Sequence, residues 1–164
     1  MMRGLLFPYQ FAIEHLMMGS FAKDISKWAK QSGLDVEQVV RATILEMSTE
    51  VTLKTPVGNP DLWKSPPPAG YTGGQARGNW FPSIDLPSTE VDKQIVGKNA
   101  NEDSNQRVWT MLDLAFGKRF FLVNNLPYIR RLEYGWSTQA PAGMVRSTQT
   151  QFKQIVKDEI NKLK

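Results

Sequence analysis

Hydrophobic residues recur at helical spacing between residues 20 and 55. Ser20 stands where a helix cap is expected, and Gly33 supplies a stop that favours left-handed backbone geometry. Asp35 then caps a longer helix, with Gln38 placed to complete a capping box, and Pro56 ends it. The apolar positions of the two helices are Phe21, Ile25, Trp28, Ala29, Val36, Val39, Val40, Ile44, Met47 and Val51.

The middle of the chain predicts strands. Two are expected at 80–86 and 90–96, and Pro82 makes the first an edge or bulged strand because proline cannot donate to a ladder. A third strand, at 119–123, contains two adjacent phenylalanines, which favour the extended conformation. The asparagine pair that follows it is typical of a turn.

Helices are expected on both sides of this last strand. One begins at a cap at Asp103 or Ser104 and stops at Gly117, a short one opens at Pro127, and the last opens at Pro141. The apolar positions of the two longer helices are Val108, Met111, Leu112, Ala115, Val145, Phe152, Ile155, Val156, Ile160 and Leu163. The order of elements predicts an α+β fold, in which N-terminal, central and C-terminal helices pack on an antiparallel sheet.

Residues 57–79 interrupt the periodic pattern with many glycines and prolines. These are Gly58, Pro60, Pro66, Pro67, Pro68, Gly70, Gly73, Gly74 and Gly78. We therefore expect a long Pro/Gly-rich arm without regular structure, and loops of this length in compact domains are usually functional. Trp63 and Tyr71 either pin this arm to the body of the protein or contact a partner.

The length of 164 residues is that of one domain, which we place at 20–164. Residues 1–19 are an uncertain N-terminal extension, with Met17 or Met18 as alternative starts. No apolar run approaches the roughly 18–20 residues that a membrane-spanning helix needs, which indicates a protein without a membrane partner.

The sequence contains few of the side chains that catalysis usually requires. The chain has no cysteine and one histidine, His15, which excludes disulfides and thiolate catalysis and leaves histidine-rich metal sites incomplete. The paired carboxylates at Glu46 and Glu50 fit an exposed helix face, and those at Glu102 and Asp103 fit a capping turn. We therefore expect no enzymatic activity, no cofactor and no bound metal.

Positive charge is concentrated towards the C-terminus. Residues 1–106 carry 10 Lys+Arg against 12 Asp+Glu, a net charge of −2, whereas residues 107–164 carry 10 against 4, a net charge of +6. Such a segment faces nucleic acid or an acidic protein surface, unless it is only a solvated, lysine-rich helix face.

Arg130 and Arg131 form the densest positive pair, and aromatic residues lie close to them in the sequence. Arginines and aromatics in alternation can stack on bases or grip phosphates. Alternatively, the aromatics Tyr128 and Tyr134 pack inward, together with Leu132, while the arginines point to water or across a subunit interface. Arginine, tyrosine and tryptophan are also the residues enriched in protein–protein hot spots.

Two stretches of the sequence together form a distinctive pattern. The first consists of Lys54-Thr55-Pro56-Val57, then Gly74, then Ala76-Arg77-Gly78-Asn79-Trp80. The second is residues 124–135, with sequence NNLPYIRRLEYG, and it continues through residues 137–146. Together they resemble the neck and tail-component proteins of tailed bacteriophages. One difference is clear: many members have a short Asp-Thr-Gly turn after Thr-Pro-Val, where this chain has an inserted arm from Gly58 to Tyr71.

The resemblance implies a structural virion protein, made in the host bacterial cytoplasm, that completes or stabilises the head–tail connector. It implies a homo-oligomer, expected to be a hexameric ring, with portal, adaptor or head-completion proteins and tail tube or terminator proteins as partners, and possible contact with channel DNA. A tail-terminator role is the alternative within this class, and a small basic nucleic-acid-binding protein is the alternative outside it. The candidate interface residues are Trp63, Tyr71, Arg77, Trp80, Arg130, Arg131, Tyr134, Trp136 and Arg146.

Overall fold

The fold is α+β, as the order of elements predicts. It is seen in a computed structural model that describes residues 20–62, 64–67, 69–94, 97 and 99–164. Within these residues the helices are α1 Ser20–Gln31, α2 Val36–Lys54, α3 Gln75–Gly78, α4 Ala100–Ala115, α5 Ile129–Glu133 and α6 Val145–Lys162, and a short 3-10 helix spans Pro60–Leu62. The two strands are β1 Phe81–Ile84 and β2 Phe120–Val123.

Helix α2 is the centre of the core, because α1, α4 and α6 all pack against it. Most of its predicted apolar face is buried, as are the facing positions of α4 and α6. The buried residues of these three helices include Val39, Val40, Ile44, Met47, Val51, Val108, Leu112, Ala115, Phe152, Ile155, Val156 and Ile160. The helical spacing of apolar residues therefore predicted the core of the helical layer correctly.

The stop after α1 and both ends of α2 also agree with the sequence prediction. Gly33 has φ +70°, the left-handed geometry expected after a helix, and Asp35 accepts a hydrogen bond from the backbone N–H of Glu37. Helix α2 ends at Lys54, two residues before Pro56. Each of these signals acts within a few residues, so packing elsewhere in the chain does not alter it.

The sheet consists of β1 and β2, paired antiparallel with Phe81 opposite Val123 and Ile84 opposite Phe120. Pro82 lies in β1, which is an edge strand as expected, and all four residues of β2 are buried. The strand predicted at 90–96 is wrong for residues 90–94, whereas residues 95 and 96 lie outside the described part. The Asn79 side chain bonds both the N–H and the C=O of Asp92, so these backbone groups are satisfied without a strand partner.

Three helix starts differ from the prediction. Helix α5 begins at Ile129, two residues after Pro127. Helix α4 begins at Ala100, before Asp103 and Ser104. The acidic side chains of its first turn, Glu102 and Asp103, interact favourably with the positive end of the helix dipole. Helix α6 begins at Val145, not at Pro141, because a distant carboxylate caps its first N–H groups.

Residues 57–79 contain more regular structure than the expected arm, since they include the 3-10 helix and α3. Gly73, Gly74, Ala76, Gly78 and Asn79 are buried, so this end of the segment belongs to the body of the protein. By contrast, residues 64–67 are exposed. Trp63 and Pro68 lie outside the described residues. In the part of the chain that the structure describes, no helix has the length and apolarity needed to cross a membrane.

Candidate functional site

The first stretch of the phage-protein resemblance is held together at the carboxyl end of α2. The indole Nε1 of Trp80 donates to the hydroxyl of Thr55 over 2.8 Å, and both side chains are buried. Arg77 donates from Nε to the Thr55 carbonyl over 3.0 Å and from Nη2 to the Leu53 carbonyl over 2.9 Å. Residues that are more than 20 positions apart therefore form one packed unit.

Arg77 closes the end of α2, where the last carbonyls have no partner within the helix. Burial lowers the pKa of Arg77 from its ordinary value, but arginine remains protonated at neutral pH. Its positive charge also lies at the negative end of the α2 dipole. Arg77 was a candidate interface residue, and the structure places its guanidinium in an internal contact.

Replacing Arg77 with alanine is expected to lower the free energy of unfolding by about 2 kcal/mol. The partly buried bond to the Thr55 carbonyl has a charged donor and contributes about 1.5–3 kcal/mol, whereas the exposed bond to the Leu53 carbonyl contributes little. Urea denaturation followed by circular dichroism measures the change. Arg77→Lys preserves the charge but not the fork of donors, so it should lie between wild type and Arg77→Ala. A wild-type midpoint for Arg77→Ala would show that the two carbonyls are satisfied by water.

The second stretch clamps the first. Asn124 donates from Nδ2 to the Ala76 carbonyl over 2.8 Å, and Tyr128 donates from its hydroxyl to the Gln75 side-chain oxygen over 3.0 Å. Burial, and secondarily Tyr71, raise the pKa of Tyr128 above its ordinary value of 10.0, so this phenol stays protonated and keeps donating. Gln139 completes the clamp by bonding both the N–H and the C=O of Val57.

Gly74 shows why the first stretch requires glycine. It has φ +84°, and a Cβ atom built there would lie 2.0 Å from the carbonyl oxygen of Gly97. Both the left-handed backbone and the close approach of a second backbone segment exclude any side chain. The glycine of the resemblance is thus explained by packing within this chain.

Glu133 is a structural residue that the sequence prediction missed. Its carboxylate is 1% exposed and accepts hydrogen bonds from the backbone N–H groups of Met144, Val145 and Arg146, at 2.8, 3.0 and 3.0 Å. Nε of Arg146 lies 3.3 Å from the same carboxylate. Glu133 therefore caps α6 from more than ten residues away, a distance at which no local capping signature applies.

Gly143 makes this cap possible, because a Cβ atom there would lie 2.4 Å from the carbonyl oxygen of Glu133. Its φ of +82° also favours glycine. The glutamate and the glycine both belong to the stretch that resembles phage proteins.

An exposed surface lies directly above this buried cap. We define the arginine–aromatic cluster as Arg130, Arg131, Tyr134, Trp136 and Arg146. Tyr134 is 58% exposed and Trp136 is 74% exposed, so the alternative in which Tyr134 packs inward is wrong. The guanidinium carbons of Arg130 and Arg146 lie 5.7 and 4.8 Å from the Tyr134 ring centre, and that of Arg131 lies 5.5 Å from Trp136. Each such contact contributes about 0.5–1 kcal/mol at an exposed site, which limits the motion of these side chains.

The remaining candidate interface residues do not extend this cluster uniformly. Trp80 is 2% exposed, so it belongs to the core and is not available to a partner. Tyr71 is half-buried and lines a groove of about 610 Å³ together with Tyr128 and Trp136. Trp63 lies outside the described residues.

Groups suited to catalysis are few in the described part of the chain. Glu50 pairs with Lys54 over 2.9 Å, but Glu46 and Glu50 are both half-buried, so this helix face is less exposed than expected. The described residues include no group of three or more histidine, cysteine, aspartate or glutamate side chains placed to hold a metal ion, and His15 lies outside them.

Comparisons with protein-family models, with curated proteins and with solved structures found no match to this chain.

Proposed function

We propose that this chain is a non-catalytic structural subunit of the head–tail connector of a tailed bacteriophage, where several copies of it assemble into a ring. The observation that supports this proposal is the packing of the two stretches that resemble neck and tail-component proteins. Trp80–Thr55 joins the two parts of the first stretch, and Asn124–Ala76 joins the first stretch to the second. Within the second stretch, Glu133 caps the start of α6. The resemblance therefore coincides with one structural unit and is not spread over unrelated loops.

The arginine–aromatic cluster is the surface of this unit that is best suited to a protein partner. Arginine, tryptophan and tyrosine dominate the hot spots of protein interfaces. The cation–π contacts hold Tyr134 and Trp136 in position before binding, which lowers the ordering cost of association. A surface of this kind supports a contact between subunits.

A closed ring needs a heterologous interface, in which one patch of a subunit meets a different patch of its neighbour. In this proposal the inserted arm between Gly58 and Tyr71 supplies the second patch, since residues 64–67 of it are exposed. The resemblance favours a hexamer, with portal-side and tail-side proteins as further partners. It also accommodates contact with DNA in the channel.

The proposal is tested by electron microscopy of the parent phage carrying a stop codon at Trp80. We expect DNA-filled heads to accumulate beside separate, finished tails. Tails of abnormal length would instead support the tail-terminator alternative. Normal, infectious virions would exclude a structural role and favour the nucleic-acid-binding alternative.

The interface is tested by complementing that phage with variants supplied from a plasmid. Trp136→Ala is expected to lower the yield of joined virions, because loss of a hot-spot aromatic weakens association by about 2 kcal/mol, or about 30-fold. Trp109→Ala is the matched control, since Trp109 is an exposed tryptophan of α4, 60% exposed and outside the cluster. Equal yields for the two variants, with equal melting temperatures, would remove the cluster from the interface.

A further inference from the structure

Two helices from opposite ends of the chain combine their lysines on one face. Helix α1 carries three exposed lysines at spacings of four and three, which is one side of a helix. Exposed lysines of α6 and of the C-terminus lie across a groove of about 460 Å³ from α1. We define the lysine groove as Lys23, Lys27, Lys30, Lys153, Lys157 and Lys164.

The groove is continuous from one helix to the other. Gln31 lines both the cavity between α1 and α6 and the shallower depression along α1. Uncharged polar side chains stand between the lysines, and they include Ser26, Ser32, Gln154 and Asn161. Gln154 already donates to Asp158, and the others can donate further hydrogen bonds to a ligand.

The charge of the groove is mostly uncompensated. Within the described residues, none of its six lysines forms an ion pair, whereas Lys54 pairs with Glu50 and Lys162 with Glu159. Asp24 and Asp158 are the remaining acidic side chains of the two helices, and Asp158 accepts a hydrogen bond from Gln154. Like charges held close together without partners favour binding of a polyanion.

We propose that the lysine groove binds the phosphate backbone of duplex nucleic acid. Lysine is a compact point charge on a flexible stem, suited to phosphates whose positions vary, and such contacts hold a protein on the duplex without reading its sequence. On α6 the groove runs from Lys153 to Asn161, about 12 Å of helix, the rise of about three to four base pairs. The groove therefore meets several phosphates at once.

The chemistry of the groove distinguishes its ligand from other partners. Lysine is depleted at protein–protein interfaces, where arginine and aromatics are enriched, so the arginine–aromatic cluster and the lysine groove are surfaces of two different kinds. Single-stranded nucleic acid needs exposed aromatic faces for stacking. Among the described residues that line the groove, the only aromatic side chain is that of Trp28, which is half-buried. The inference goes beyond the connector role and does not depend on it, because it concerns a property of the isolated chain.

The test is fluorescence anisotropy of a 20-base-pair DNA duplex of mixed sequence, titrated with the full chain at NaCl concentrations between about 50 and 300 mM. Each phosphate contact contributes about 0.9 to the slope of log K, the logarithm of the binding constant, against the logarithm of the salt concentration. Changing Lys27, Lys153 and Lys157 to alanine together should weaken binding at least about tenfold and lower the slope by about 3. The melting temperature should not change, because all three side chains are exposed.

The matched control is the triple alanine variant of Lys64, Lys93 and Lys118, which are exposed lysines outside the groove. This variant removes the same net charge as the groove variant. It should retain most of the affinity. No binding at 50 mM NaCl, or equal losses in the two triple variants, would overturn the proposal. Loss confined to Arg130→Ala and Arg131→Ala would place the site in the arginine–aromatic cluster, and equal affinity for polyglutamate would assign the groove to acidic proteins.

Discussion

Glu133→Ala should lower the free energy of unfolding by about 3–5 kcal/mol, the usual cost of removing one partner from a buried, charged network. Among the described residues, the Glu133 carboxylate is the only hydrogen-bond acceptor for the backbone N–H groups of Met144, Val145 and Arg146. Its removal leaves these donors buried without a partner and removes a negative charge from the positive end of the α6 dipole. It also leaves a cavity where the side chain was 1% exposed.

Urea denaturation measures this effect, and two further variants make it interpretable. Glu133→Gln retains an acceptor oxygen without the charge, so its loss should be intermediate and measurable even where the alanine variant does not fold. Glu102→Ala removes an exposed glutamate from the first turn of α4, and it should cost less than about 1 kcal/mol. A loss below about 1 kcal/mol for Glu133→Ala would mean that α6 does not depend on this cap.

A consequence for the surface follows from the same cap. Arg146 contacts the Glu133 carboxylate and also lies over the Tyr134 ring, so the cap and the arginine–aromatic cluster share a side chain. In the proposed function, Glu133→Gln should therefore reduce the yield of joined virions even under conditions where the variant is folded. Trp136→Ala should reduce this yield without a change in stability.

Trp80→Ala should lower the free energy of unfolding by about 3–5 kcal/mol, because it removes a large side chain that is 2% exposed and leaves a cavity in the core. The indole also bonds Thr55, whose hydroxyl in turn donates to the Val51 carbonyl over 2.8 Å. The tryptophan thus fixes the first stretch to the end of α2. Thermal or urea denaturation measures the loss.

Trp80→Phe separates the two contributions, since it retains an aromatic ring and removes the N–H donor, and it should cost about 1–2 kcal/mol. A double-mutant cycle with Thr55→Val isolates the hydrogen bond. The control is Trp109→Ala, whose side chain is 60% exposed and which should cost less than about 1 kcal/mol. A smaller loss for Trp80→Ala than for this control would contradict the assignment of Trp80 to the core.

The sequence by itself determined the helices and much of the core. The cap at Asp35, the stop at Gly33 and the apolar spacing of α2 all act within a few residues, and the structure agrees with each of them. The strands at Phe81–Ile84 and Phe120–Val123 were predicted for the same reason, because their short apolar runs favour extended backbone.

The tertiary structure alone decided which arginine and aromatic side chains of the two stretches face inward. Trp80 and Arg77 contact the end of α2, whereas Tyr134 is exposed, and residue type does not distinguish these cases. The strand expected at 90–96 gave way to side-chain hydrogen bonds from Asn79, which are made over 13 positions. Contacts at such separations depend on how the chain closes its loops, and periodicity carries no information about that.

Charge shows the same division between sequence and tertiary structure. Residues 1–106 have a net charge of −2, and this total gives no sign that three lysines of α1 lie beside those of α6. The number of charges was evident from the sequence, but electrostatic potential depends on the distances between charges in space. Only the packing of α1 along α6 brought these lysines into one groove, just as only the fold carried Glu133 to the start of α6.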